Sequence, residues 1–196
     1  MIEIALFGTS ADPPTAGHQA IIKWLSEHFD KVVVWASDNP FKSHQTSLDQ
    51  RSTMLLVLID DIDSSKKNIS IHPELSSHRT VETVERARKK WPNAEFTLVV
   101  GSDLAKQLPR WYKIKELLQQ VGLLIVPRPG IKVEQADFQE LRELGAEVEI
   151  ASLEVPNVSS SAYREQGDST TITPPIKDYI YREQLYQWQD ATTEKV

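Results

Sequence analysis

Residues 2–25, IEIALFGTSADPPTAGHQAIIKWL, decide the fold of this chain. The apolar run at residues 2–7 predicts a buried first strand, and the apolar spacing of residues 19–25 predicts a helix. Between them lies a loop containing glycine and proline, residues 8–18, that ends on Gly17-His18. Backbone N–H groups at a helix start point at a ligand, and the helix dipole favours negative charge there. The stretch therefore predicts a strand, an anion-binding loop and a helix.

Strand-like and helix-like segments then alternate along most of the chain. Further strands are predicted near residues 31–36, 68–72, 95–101, 122–126 and 148–151. Helices are predicted near residues 49–59, 80–91, 111–120, 138–144, 160–166 and 175–186. This alternation predicts an α/β fold with a doubly wound, mostly parallel sheet and helices on both faces. The loops after the strands should meet at one edge of the sheet, where such folds bind ligands.

Length and composition limit the class of protein. A chain of 196 residues fits one domain with its own core. We expect a single domain over residues 1–189 and a frayed polar tail over residues 190–196. The absence of cysteine excludes disulfides, a thiol nucleophile and a cysteine metal site.

Charge and hydropathy limit the partners. A net charge of −6 argues against a nucleic-acid-binding surface, but a local site can still bind a small anion. The longest apolar stretch, residues 54–59, is too short to span a bilayer. The N-terminus lacks the pattern of a signal peptide. We therefore expect a cytoplasmic protein with no nucleic-acid or membrane partner, for which a homo-oligomer is compatible with the sequence.

Two polar clusters point to phosphate. Thr15 and His18 are three residues apart, so their side chains could face the same phosphates. A plain surface loop is the alternative, but its position after the first strand favours a phosphate site. Ser159-Ser160-Ser161 predicts a helix cap, and a cation as early in that helix as Arg164 would oppose its dipole unless an anion were bound.

Several motifs, in order, carry a resemblance to a known family. Thr15-Ala16-Gly17-His18 resembles the [H/T]xGH signature of the nucleotidyltransferase superfamily. Four later blocks resemble those of its nicotinate-mononucleotide adenylyltransferases: residues 101–104 (GSDL), 108–112 (LPRWY), 126–130 (VPRPG) and 158–164 (VSSSAYR). The likeness covers nearly the whole chain, and it implies a Rossmann-like nucleotidyltransferase domain.

The resemblance implies transfer of AMP from ATP to nicotinate mononucleotide, with release of pyrophosphate and formation of deamido-NAD. ATP is then a substrate, and Mg²⁺ is held mainly through its phosphates, with no protein residue assigned as a metal ligand. The implied catalytic residues are His18, Thr15, Arg164 and Lys42. The implied phosphate-binding residues are Gly8, Thr9, Ser10, Gly17, Ser159, Ser160 and Arg128.

The resemblance also implies a pyridine-nucleotide end of the site. Its residues are Thr80, Gly101, Asp103, Trp111 and Tyr112. Asp103 could accept hydrogen bonds from ribose hydroxyls, and the two aromatic rings could stack on the pyridine. Each has a plainer alternative: Thr80 as a helix cap, and the aromatic pair as part of the core.

Four positions depart from the family pattern. Thr9 stands where relatives have the second glycine of a pair, Ala11 where they have phenylalanine, Phe41 where many have histidine, and Arg79 where they have tyrosine. These departures bear on the acceptor more than on the chemistry. Two other functions stay open: adenylyl transfer to nicotinamide mononucleotide or a phosphopantetheine, and a nucleotide-binding sensor without turnover.

Overall fold

The computed structural model describes residues 1–39 and 42–187. Its strands are β1 (Ile2–Thr9), β2 (Lys31–Ala36), β3 (Ile69–Ile71), β4 (Ala94–Gly101), β5 (Gly122–Val126) and β6 (Val148–Ile150). They form one sheet in the order β3-β2-β1-β4-β5-β6, and every neighbouring pair is parallel. The predicted doubly wound α/β fold is confirmed, and the sheet is wholly rather than mostly parallel.

Eight α-helices occur among the described residues. They are α1 (Ala16–His28), α2 (Leu48–Asp60), α3 (Thr80–Lys90), α4 (Ser102–Ala105), α5 (Ile114–Leu118), α6 (Gln139–Glu143), α7 (Ser160–Gln166) and α8 (Pro174–Arg182). Local chemistry explains where some begin. The Ser47 hydroxyl accepts the Gln50 N–H at 3.2 Å while the Gln50 side chain accepts the Ser47 N–H at 2.9 Å, a capping box that starts α2.

The core lies on both faces of the sheet. Ile4 and Leu6 of β1 belong to one buried cluster, which includes residues of α3 and α5. The alternate residues Ala5 and Phe7 belong to a second cluster, which includes residues of α1, α2 and α8. Strand side chains point alternately to opposite faces, so a central strand buried on both sides is a near-continuous apolar run.

The strand order reverses at β1, and this positions the site. The chain runs outward from β1 to β2 and β3, then returns to place β4 on the other side of β1. Thr9 is in register with Ala36, and Gly101 with Val126, so these strands end at one edge of the sheet. A crevice at that edge, beside the reversal, is where open α/β sheets bind ligands.

Three predicted helix features are corrected. α5 begins at Ile114 rather than at residue 111, because Lys113 takes a left-handed conformation (φ 54°) that a helix cannot continue through. α8 ends at Arg182 rather than at residue 186, and Gln184 beyond it has φ 53°. The N-cap of α3 is Arg79, so Thr80 is the first helical residue and not the cap. The predictions for Phe41 and for the tail at 190–196 fall outside the described residues.

Candidate active site

The loop after β1 is held from beneath by a buried arginine. Arg51 of α2 is only 2% exposed, and its Nη1 donates to the carbonyl oxygens of Ser10 at 2.9 Å and Ser37 at 2.8 Å. The Ser37 N–H also donates to the Thr9 carbonyl at 2.8 Å. The loops after β1 and β2 are therefore joined by one cation whose charge is directed at backbone oxygens.

Hydrogen bonds fix the tautomer of His18. The backbone N–H of Thr15, the N-cap of α1, lies 3.0 Å from His18 Nδ1, and the Thr15 hydroxyl lies 2.9 Å from the same atom. A backbone N–H can only donate, so Nδ1 is the acceptor and the neutral ring carries its proton on Nε2. The structure thus brings Thr15 and His18 together as predicted, but the Thr15 hydroxyl contacts Nδ1 of the His18 ring instead of lying alongside the ring.

The surroundings of His18 keep its ring neutral. Burial, together with the positive charges of Arg128 and Lys42, lowers the pKa of His18 from 6.5 to about 4. Near neutral pH His18 is therefore a neutral Nε2–H donor in the free protein. The same two cations create a positive field that would attract phosphate.

The serines at the start of α7 fasten that helix to the loop after β1. Ser159 caps α7, its hydroxyl accepting the Ala162 N–H at 3.1 Å, and Ser160 donates to the Pro13 carbonyl at 2.7 Å. Arg164 donates from Nη1 to the Asp12 carbonyl at 2.6 Å and from Nη2 to the Ser161 hydroxyl at 3.1 Å. The structure therefore brings Arg164 into contact with the opening loop.

The electrostatic argument made for Arg164 from sequence is wrong. α7 is only seven residues long, and Arg164 lies in its last turn, where a cation complements the helix dipole instead of opposing it. Arg164 remains a candidate phosphate-binding residue because its side chain contacts Asp12 in the loop between β1 and α1.

Asp12 is a buried centre that sequence reasoning missed. It is 1% exposed, and its carboxylate accepts the Gln45 N–H and the Thr46 hydroxyl, each at 2.7 Å. The Tyr186 hydroxyl donates to the same carboxylate, and burial followed by this hydrogen bond raises the pKa of Tyr186. Asp12 therefore ties the opening loop to the segment before α2 and to the chain beyond α8.

Two glycines of the opening loop lie in close contact with neighbouring side chains. A Cβ on Gly8 would lie 2.5 Å from the Trp35 indole, so the ring occupies the space above this residue. A Cβ on Gly17 would lie 3.3 Å from Val155 and 3.4 Å from Val158, so Gly17 lets the segment before α7 approach α1. Both were predicted as phosphate-binding positions, and packing gives each a second reason to be glycine.

The loops after β4 and β5 meet through an ion pair. Arg128 Nε lies 3.1 Å from Asp103 Oδ1, and the Arg128 N–H donates to the Ser102 hydroxyl at 3.0 Å. A Cβ on Gly101 would lie 2.5 Å from the same Asp103 oxygen. Asp103 was expected to accept ribose hydroxyls and Arg128 to bind phosphate. The structure brings the two together, with both side chains partly exposed.

Three of the predicted pyridine-nucleotide residues, Thr80, Trp111 and Tyr112, lie on two neighbouring segments. Thr80 opens α3, and Trp111-Tyr112 follow the short 3₁₀ turn Leu108–Arg110. Trp111 packs partly against the core below the sheet, whereas Tyr112 is 51% exposed. The Arg79 guanidinium lies over the Tyr112 ring, 4.1 Å from its centroid, and so joins the two segments.

Among the described residues there is no group of three or more histidine, aspartate or glutamate side chains that could hold a metal ion. None of the described helices has the length and apolar character needed to cross a membrane. The chemistry available at this edge is that of an anion site: a neutral imidazole donor, three nearby cations at positions 42, 128 and 164, and hydroxyl groups.

Comparison with known proteins supports this assignment. The cytidylyltransferase-like family model matches residues 6–166. A Synechocystis protein, "Probable nicotinate-nucleotide adenylyltransferase", is 42% identical over 95% of this chain and 100% of its own length. The chain belongs to the nicotinate-nucleotide adenylyltransferase family. The family resemblance predicted from the sequence motifs is thereby confirmed.

Two further relatives are less similar to this chain. The Bacillus subtilis nicotinate-nucleotide adenylyltransferase is 27% identical over 95% of this chain and 100% of its own length. The Plasmodium falciparum nicotinic acid mononucleotide adenylyltransferase complexed with NaAD has a TM-score of 0.80 at 21% identity, covering 95% of this chain and 98% of that one. At that identity the likeness shows the shared fold.

Proposed function

We propose that this protein transfers the adenylyl group of ATP to nicotinate mononucleotide, a step of NAD biosynthesis. A phosphate oxygen of the mononucleotide attacks the α-phosphorus of ATP. The bond between that phosphorus and the oxygen bridging the α- and β-phosphates breaks, and pyrophosphate leaves. The products are deamido-NAD and pyrophosphate. The observation that carries this proposal is the neutral His18 ring, whose Nδ1 accepts the Thr15 N–H and which lies near Arg128 and Lys42. The chain is also 42% identical to the Synechocystis protein named above.

The chain's own residues act by positioning and by stabilising charge. Phosphoryl transfer demands little covalent chemistry, so aligned donors and cations supply most of the rate. His18 Nε2–H donates to the phosphate oxygens on which charge accumulates, and Lys42 and Arg164 hold the chain of phosphates. Gly8, Thr9, Ser10, Gly17, Ser159, Ser160 and Arg128 form the remaining phosphate wall.

The acceptor end is formed by the loops after β4 and before α5. Trp111 and Tyr112 offer aromatic faces to the cationic pyridine ring near Thr80, while Gly101 and Asp103 line the approach to the ribose. Asp103 can exchange part of its ion pair with Arg128 for hydrogen bonds to ribose hydroxyls, since both side chains are partly exposed. In this proposal the acceptor phosphate lies between the phosphate-binding residues and the acceptor end of the site.

Mg²⁺ fits this site as a companion of ATP. Three cations and a histidine donor suit an anion, and no three-carboxylate or histidine cluster occurs in the described part of the chain. The ion would therefore be held through ATP phosphates and water, where it offsets phosphate charge.

We further propose a cytoplasmic location for the protein. We also propose that it has no nucleic-acid partner, in keeping with the net charge of −6.

A pyrophosphate-release assay tests this proposal. Purified protein with ATP and Mg²⁺ is given nicotinate mononucleotide, nicotinamide mononucleotide or phosphopantetheine in parallel. We expect the highest kcat/KM with nicotinate mononucleotide. A preference for phosphopantetheine would show a different acceptor. ATP binding without pyrophosphate release in the presence of any of the three acceptors would identify a non-catalytic sensor.

A further inference from the structure

Arg79 and Tyr112 form one surface at the acceptor end of the site. The Arg79 Cζ lies 4.1 Å from the centroid of the Tyr112 ring, and each residue adjoins a position assigned to the pyridine, Thr80 and Trp111 respectively. Both side chains are half-exposed: 51% for the Arg79 side chain and 51% for Tyr112. The guanidinium is therefore accessible to a small molecule and held in place by an aromatic face.

The hydrogen-bonding capacity of Arg79 is not used up by its neighbours. Arg79 Nη1 forms an ion pair with Glu82 at 3.6 Å, which is longer than a hydrogen bond, and the other oxygen of Glu82 accepts the Ser77 hydroxyl at 2.6 Å. An arginine stacks on an aromatic ring through the flat face of its guanidinium, so the N–H edges can still donate. Five such donors match the geometry of a carboxylate, which they bind in pairs.

The two pyridine mononucleotides differ in the group that such a donor would meet. Nicotinate carries a carboxylate, which accepts two hydrogen bonds and carries a negative charge. Nicotinamide carries a neutral amide whose NH₂ group would oppose the N–H donors of Arg79. The helix dipole of α3 adds positive potential next to the Arg79 guanidinium, because Arg79 is the N-cap of this helix. Both features favour the carboxylate.

We propose that Arg79, held on the Tyr112 ring, selects the acceptor by binding the carboxylate of nicotinate mononucleotide. This inference rests on the proposed function, because it assigns a specificity role within that acceptor site. Arg79 is a specificity residue in this account and takes no part in the transfer of the adenylyl group. Its removal should affect the carboxylate-bearing acceptor and leave ATP binding intact.

The test compares both mononucleotides in the wild type, Arg79→Gln and Arg79→Lys. Glutamine removes the charge, whereas lysine keeps it without the paired donors. Arg182→Gln is the matched control, since Arg182 is an exposed arginine lying 5.4 Å from the Tyr179 ring on α8. Steady-state kcat/KM is measured for each acceptor, and calorimetry gives the Kd of each mononucleotide without turnover.

We expect Arg79→Gln to lower kcat/KM for nicotinate mononucleotide about 10- to 100-fold, mainly through KM. The value for nicotinamide mononucleotide and the KM for ATP should change less than about twofold, and Arg79→Lys should retain part of the selectivity. An equal loss for both acceptors would overturn the proposal, since Arg79 would then only support Tyr112. Unchanged selectivity would also overturn it.

Failure of the proposed function gives a different result. In that case the wild type itself releases no pyrophosphate with either mononucleotide. The calorimetric arm still tests Arg79, because tighter binding of nicotinate than of nicotinamide mononucleotide, lost in Arg79→Gln and kept in Arg182→Gln, would support the inference without turnover. Equal Kd values in the wild type would refute it.

Discussion

The backbone N–H of Thr15 lies 3.0 Å from His18 Nδ1, and this contact determines which nitrogen of the ring carries the proton. Because Nδ1 must accept, Nε2 must donate when the ring is neutral. The proposed binding of phosphate at this loop therefore does not depend on a charged histidine. It depends on a neutral donor whose direction is set by the first turn of α1.

The titration of His18 should be displaced to acid. Burial, aided by Arg128 and Lys42, lowers the pKa of His18 to about 4, so NMR of the free protein should show a neutral ring down to about pH 5 with Nδ1 unprotonated. An unfolded histidine titrates near 6.5. The unfolded state therefore binds this proton first, and His18 makes the fold less stable as pH falls from about 6.5 to 4. A midpoint near 6.5 would contradict this environment.

Removal of the His18 ring should abolish most turnover without unfolding the protein. His18→Ala is expected to lower kcat by about 100-fold or more, because it removes a donor that acts on developing phosphate charge. His28→Ala is the matched control, since His28 stacks on Trp24 at the far end of the same helix. Steady-state kinetics and circular dichroism measure the two effects. A His18→Ala variant with full activity would disprove the role of the ring.

The Thr15 hydroxyl should matter through His18. Thr15→Val keeps the shape of the side chain but removes the group 2.9 Å from Nδ1, leaving only the backbone N–H on that atom. We expect kcat to fall roughly 10-fold with little change in the KM for ATP, whereas Thr15→Ser should restore most of the activity. If serine and valine behaved alike, the hydroxyl would have no part in orienting the ring.

The Tyr186 hydroxyl should stabilise the loop through Asp12. Tyr186→Phe removes one donor from a carboxylate that is 1% exposed, and the free energy of unfolding should fall by about 1–3 kcal/mol. Tyr181→Phe is the control, because Tyr181 is 87% exposed. Chemical denaturation of both variants gives the comparison. Equal stability of the two would show that the contact with Asp12 contributes nothing.

Short-range patterns in the sequence predicted the sheet and its ligand edge. The apolar runs of β1, β2, β4 and β5 are long enough to identify a strand, and the Thr15–His18 pair lies within one turn of a helix. Pairing within a helical turn follows from spacing alone. Each motif that carries the family resemblance is an unbroken stretch of sequence, so it could be recognised without knowledge of the fold.

The supports of the site could not be predicted because they join distant parts of the chain. Asp12 and Tyr186 are 174 residues apart, and Arg51 reaches Ser10 across 41. Nothing in the local sequence marks Arg51 as buried, since arginine on a helix is usually exposed. Arg164 is a different case, because the bounds of α7 were predicted correctly: in a helix of only seven residues Arg164 already lies in the last turn, and treating it as a residue near the helix start was wrong.

The most direct test of the central claim follows the α-phosphate of ATP. Protein is incubated with Mg²⁺, nicotinate mononucleotide and ATP labelled at the α-phosphorus, and the products are separated. We predict that the label appears in deamido-NAD in equal amount to the pyrophosphate released, and that His18→Ala suppresses both. Label found only in AMP, or no label transferred at all, would contradict adenylyl transfer to this acceptor.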